Sequence, residues 1–197
     1  MSHWLTRYLL TLPPPAARPH PAGLDQAAVL VPLVKRQDGW YLLLTRRAAT
    51  LRHHGGQVSF PGGRRDSTDA SLIATALRET QEELGIAPAL ISVQGKLPAL
   101  PTVSRFWVQP VLACVSHAYH ATPNPDEVAR VFEVPLSFLL NPAHYRQKVV
   151  IRRGQRHPIW FIPWQDELIW GATAAMIQQL ACLLDAERWH SIKIEQV

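Results

Sequence analysis

Three glutamates fall within five positions in Arg78-Glu79-Thr80-Gln81-Glu82-Glu83-Leu84-Gly85-Ile86. On a helix, Glu79 and Glu83 stand four residues apart and share a face, with Glu82 close beside them. Such a cluster repels itself in water, and a hard divalent cation with oxygen ligands is the natural counter-charge. At about 100° per residue, Ile73, Ala76, Leu77, Thr80 and Leu84 form the core-facing stripe of a helix over 70–84. Glu79 and Glu83 then lie at the edge of the buried face, and Glu82 points towards water. Asp69 or Ser71 suits the start of this helix and Gly85 its end. Arg-Glu-x-x-Glu-Glu also suits an ordinary solvated helix face, so the glutamates alone do not decide.

The flanking residues sharpen the reading. Phe60-Pro61-Gly62-Gly63 delivers a strand-like segment into what reads as a tight turn just before the acidic helix. Paired glycines let backbone approach a ligand closely and turn N–H or C=O groups towards an ion or phosphate. A glycine turn, a capped helix start and a carboxylate edge together make a metal-plus-phosphate arrangement.

These residues resemble the Nudix box, in which a glycine is followed at fixed spacing by an acidic residue and then Arg-Glu-x-x-Glu-Glu-x-Gly. Asp69 stands where that pattern has glutamate, eight rather than seven residues separate it from Arg78, and Thr80 replaces an aliphatic residue. Upstream, Leu43-Leu44-Thr45-Arg46-Arg47-Ala48, then Arg52, Gly56 and Phe60-Pro61-Gly62-Gly63, are similar to the signature of the coenzyme A-directed Nudix pyrophosphatases. The two motifs together cover 43–86. Looser similarity runs through Asp126 to Leu136 and Trp170 to Ala174.

The resemblance implies an α/β/α sandwich with a mixed β-sheet. It also implies Mg²⁺- or Mn²⁺-dependent hydrolysis of the pyrophosphate bond of coenzyme A and its derivatives, giving 3′,5′-ADP and 4′-phosphopantetheine. Glu79 and Glu83 are then the main metal ligands, Glu82 an additional ligand or base, and Arg78 the group that orients the carboxylates. Gly62 and Gly63 approach the substrate. Arg47 and Arg52 are candidates for the 3′-phosphate that distinguishes coenzyme A from plain ADP derivatives, with His54 as a further phosphate contact. Glu127 and Glu133, in a later acidic segment, are candidates to reach the metal from a loop, and Glu127 equally suits the cap of the short helical stretch there. Two other readings stay open: hydrolysis of another nucleoside diphosphate derivative such as ADP-ribose or a dinucleotide, and a Nudix module that binds nucleotide or nucleic acid without turnover. An intact glutamate set argues against the second.

The rest of the chain must position this site. With 197 residues and 47% apolar content, it is long enough for one domain with a substantial core. The division reads as an N-terminal helical segment and Pro-rich connector over 1–24, then a single domain over 25–197. No apolar run approaches the ~20 residues that span a bilayer, and the start lacks the pattern of a secretory signal. Cys114 and Cys182 sit in apolar contexts and read as reduced residues of a cytoplasmic protein. A net charge of +5 is scattered, with no basic run of five and no nucleic-acid reading motif. Arg46, Arg47, Arg52, Arg64 and Arg65 instead gather near the glycines, which favours a small polyanionic substrate over nucleic acid or membrane; a homodimer stays open.

Strands are expected over 26–35 and 40–45 around an Asp38-Gly39 turn, near 89–97 and 106–116, and near 147–152 and 158–163 about Gly154. Thr50 to Gln57 reads as a loop. A short helical turn is expected near 136–140 and a closing helix over 173–186.

Overall fold

In a computed structural model of the chain, residues 20–152 and 154–184 are described, without the side chains of residues 152 and 155. The expected helix within Met1–Leu12 and the connector from Pro13 lie outside the described residues.

Strand β1 (Asp25–Arg36) is the centre of the molecule because its sequence, DQAAVLVPLVKR, is apolar on both faces. Ala28, Leu30 and Val34 enter one core, while Ala27, Val31 and Leu33 enter another. This period of two is what a pleated strand imposes. The Asp38-Gly39 turn leads into β2 (Gly39–Arg47), whose register sets Leu33 opposite Leu42 and Arg36 opposite Gly39. Short β3 (Val58–Ser59) and β4 (Gly62–Arg64) follow, then β5 (Ile91–Lys96), β6 (Leu100–Pro101), β7 (Phe106–Val115) and β8 (Val128–Pro135). These eight make one mixed sheet: β7 runs parallel to β1 from Asp25/Phe106 to Val34/Val115, and the other pairings are antiparallel.

A second, three-stranded antiparallel sheet contains β9 (Arg146–Arg152), β10 (Gln155–Trp164) and β11 (Glu167–Trp170). Helix α1 (Leu72–Leu84) covers one face of the main sheet through Ala76 and Leu84. The short α2 (Leu136–Leu139) follows β8, and α3 (Gly171–Leu184) packs Ala174, Ile177, Leu180 and Ala181 on the opposite face. Ile177 and Leu180, buried in that core, each contribute roughly 1.5–3 kcal/mol. The expected α/β/α sandwich is therefore the fold.

Most expected elements are present within two residues of their expected ends. The closing helix begins earlier, at Gly171, and residues 185–186 lie outside the description. Strands β3, β4, β6, β8 and β11 are additional, and the glycine segment is corrected: Gly62 and Gly63 form β4 opposite Val29 and Ala28, not a tight turn. Both cysteines are half-buried and form no disulfide. Among the described residues, no helix is long and apolar enough to cross a membrane.

Candidate active site

Helix α1 is aimed by its ends. Ser71, extended at φ −161°, accepts the Ala74 N–H on its hydroxyl at 3.1 Å, so it and not Asp69 is the cap. Gly85 closes the helix in the left-handed region at φ +66°, its N–H donating to the Gln81 carbonyl at 2.8 Å. Thr80, at the family's aliphatic position, is fully buried and returns its hydroxyl to the Ala76 carbonyl at 2.7 Å.

The helix meets β4 through its glutamates. A methyl group at Gly63 would stand 2.5 Å from the Glu79 carboxylate, so the missing side chain is the space that carboxylate occupies. Gly62 has φ +151°, and a Cβ there would collide with the Ala28 carbonyl. Its N–H donates to Glu83 Oε2 at 3.2 Å, and Arg47 Nη1 lies 3.5 Å from Glu83 Oε1. Glu83 is only 2% exposed, more buried than the edge position expected from the helical wheel. Burial raises its pKa to about 7, against the lowering effects of Arg47 and the Gly62 amide. Burial also raises Glu79, partly offset by Arg78. Glu82 is more exposed than either, as its place on the wheel implies.

Arg78 gathers the polar edge of the site. Its Nε and Nη2 grip Asp69 Oδ1 and Oδ2, each at 3.0 Å, as a two-pronged fork. Its Nη1 donates to Glu79 Oε1 and Glu82 Oε2, both at 2.9 Å, and Nη2 also reaches the Arg64 carbonyl at 3.2 Å. Asp69 further accepts from the Asp66 N–H and the Thr75 hydroxyl. The Arg78 fork holds the Asp69 carboxyl well below the usual carboxylate range. The extra residue before Arg78 therefore does not prevent contact; Asp69 is buried as an anchor for the arginine.

The other expected residues separate. Arg52 and His54 are exposed on the loop between β2 and β3; His54, at φ +60°, shares a hydrogen bond with Gln57 Oε1 at 2.9 Å. Glu133 is taken by Arg36 and the Tyr119 hydroxyl, away from the glutamates of α1. Glu127 is close enough for its charge to raise both Glu79 and Glu83. Trp160 and Trp164 pack against the core, where Trp160 meets Tyr145 edge-on and Trp164 meets Phe138 edge-on. Sequence reasoning missed Asp69 as the Arg78 anchor and Arg47 as the partner of Glu83. A carboxylate nine residues before an arginine, at a helix entry, was the available signal for the first.

Among the described residues, no three His, Cys, Asp or Glu side chains close into a cage. The donors nonetheless fit a hard dication. Glu79 and Glu83 are carboxylates, both destabilised as anions by burial and by neighbouring carboxylates, and they border a strand whose two glycines offer backbone in place of side chains. An open arrangement leaves coordination places for water and phosphate oxygen.

The chain is similar to known proteins along most of its length. The NUDIX domain family profile matches residues 24–154. A Klebsiella pneumoniae protein described as an uncharacterized Nudix hydrolase, NudL, is 44% identical over 187 residues, covering 94% of this chain and 95% of its own. The Cronobacter sakazakii protein of the same description is 51% identical over 158 residues, covering 79% and 81%. Among solved structures, a NUDIX hydrolase from Alicyclobacillus acidocaldarius superposes with a TM-score of 0.51 at 18% identity, covering 87% of this chain and 98% of that one. DR0079 from Deinococcus radiodurans gives 0.52 at 14%, covering 82% and 88%. By motif, profile, relatives and fold, the chain belongs to the Nudix hydrolase family.

Proposed function

We propose that the chain is a pyrophosphohydrolase that cleaves the diphosphate of coenzyme A and its thioesters or oxidised forms, releasing 3′,5′-ADP and the 4′-phosphopantetheine portion. The observation that carries the reaction class is the placement of Glu79 and Glu83 against Gly62 and Gly63. Glu79 and Glu83, with Glu82 as the exposed additional donor, would hold Mg²⁺ or Mn²⁺. Such an ion supplies charge neutralisation for the diphosphate and activation of the attacking water. Arg78 keeps Glu79 and Glu82 oriented from its Asp69 anchor. Gly63 keeps the approach to Glu79 free of side chains, and burial of Glu83 keeps water from competing with its oxygen atoms.

The choice of coenzyme A rests on the upstream motif, whose Arg52 stands exposed on the loop that also carries the exposed His54. A guanidinium on an exposed loop suits a terminal phosphate monoester. Mass spectrometry of products from coenzyme A, dephospho-coenzyme A, ADP-ribose and NADH, with Mg²⁺, Mn²⁺ or chelator, tests this reading. The expected result is metal-dependent 3′,5′-ADP from coenzyme A and a markedly lower kcat/KM for dephospho-coenzyme A. Equal specificity constants for those two compounds would remove the substrate assignment, and turnover in chelator would remove the metal.

A further inference from the structure

Packing accounts for most of the upstream motif. Leu43 and Leu44 are fully buried in the two opposite cores, and Ala48 and Phe60 are also buried. The Thr45 hydroxyl bonds to the Ser59 carbonyl at 3.1 Å, tying β2 to β3. Arg47 is different. Its Nη1 is turned inward to Glu83 Oε1 at 3.5 Å, and its Nε is buried with no hydrogen-bond partner.

The backbone of Arg47 is held on both sides. Its N–H donates to the Gln57 carbonyl at 2.9 Å, its own carbonyl accepts the Gly56 N–H at 3.1 Å, and the Ala48 N–H donates to the Glu127 carbonyl at 2.8 Å. Gly56, at φ +74°, lets the loop return to this point. The motif's spacing thus closes a loop at its base and fixes Arg47 under Glu83. A phosphate-reading arginine must offer its fork to solvent. Arg47 instead gives Nη1 to a buried carboxylate and buries its Nε without a partner, with 25% of the side chain left exposed, an arrangement that is costly unless the charge is needed there. Arg52, by contrast, is exposed.

We infer that Arg47 is a positioning residue of the hydrolytic site, holding Glu83 in place, and that phosphate reading by this motif falls to Arg52. The catalytic consequence rests on the pyrophosphatase reading; the hold on Glu83 does not depend on the substrate.

The test uses the full chain with Arg47→Ala, Arg47→Lys and Arg52→Ala, each checked for a parent-like circular dichroism spectrum. Steady-state kinetics on coenzyme A and dephospho-coenzyme A in saturating Mn²⁺ are paired with hydrogen exchange of the Gly62 amide in metal-free, ¹⁵N-labelled protein. Arg47→Ala is expected to lower kcat by about 10- to 100-fold on both substrates alike, as loss of a supporting contact to a ligand does, with KM little changed. The Gly62 amide, which donates to Glu83, should exchange faster; Arg47→Lys should recover part of both effects. Arg52→Ala should instead erase the preference for coenzyme A. A raised KM for coenzyme A alone in Arg47→Ala, with kcat and Gly62 exchange unchanged, overturns the proposal.

If Arg47→Ala does not fold, Arg47→Lys decides. A lowered kcat with an unchanged ratio of the two substrates supports the hold on Glu83, and a shifted ratio overturns it. If the parent hydrolyses neither compound, the substrate reading fails separately, and unchanged Gly62 exchange in the Arg47 variants still overturns the positioning role.

Discussion

A carboxyl group sealed from water holds its proton to higher pH than an exposed one, and Glu83 is in that condition, with its pKa near 7. Between about 4.5 and 7, metal-free folded protein retains a proton that the unfolded chain has released. Folding stability from this group is therefore fully present at the acid end and is lost as pH rises through about 7. Urea unfolding in chelator should show that decline, and Glu83→Gln should remove it. The same substitution should abolish hydrolysis while leaving the melting temperature at pH 8 unchanged or raised; a parent-like kcat would refute the ligand assignment. The glutamates themselves were legible because each is a fixed number of residues from its neighbours on one helix. Their partners were not, because Arg47 and Glu83 lie 36 residues apart and meet only through the sheet.

Two elements, a strand that opens with two glycines and a helix edged with carboxylates, are fitted closely to each other. Gly63→Ala would press a methyl group against Glu79 at 2.5 Å. Because the obstructing atoms are the far end of a flexible side chain, the carboxylate should swing aside: we expect a denaturant midpoint near the parent value together with a fall in kcat. Asp69→Asn acts at the other end, releasing the Arg78 fork. It should cost about 2 kcal/mol, the range of hydrogen bonds to charged groups. Because Arg78 holds the Asp69 carboxyl in its charged form, the parent gains that stability above the ordinary aspartate pKa and loses it as pH falls through the depressed one. The difference between Asp69→Asn and parent should therefore narrow in acid. Helix α1, the β1–β2 hairpin and the β9–β10 hairpin could be read from period and turn chemistry. Strands β3, β4 and β6 could not, since two or three residues carry no period, and two glycines in a strand read as a turn.

Across the whole molecule, Glu167 on β11 is buried, ion-paired with Arg46 of β2 at 3.2 Å and accepting a hydrogen bond from Arg130 of β8 at 3.0 Å, tying the small sheet to the large one. Glu167→Gln should lower stability by about 1–2 kcal/mol, since both arginines remain partly solvated, while KM and kcat stay near the parent values in steady-state assays. A loss of turnover without a loss of stability would show that the small sheet shapes the site. Sequence patterning found both strands, over 26–35 and 106–116, but not their parallel pairing, whose partners are about 80 residues apart.

Arg46 and Arg47 are adjacent on β2, yet one guanidinium serves the small sheet and the next the buried glutamate. The pairing of β2 with β8 changes register between these two residues, and such an irregularity re-aims a side chain. An insertion or deletion at this step would therefore disturb the glutamate site and the joint between the two sheets together.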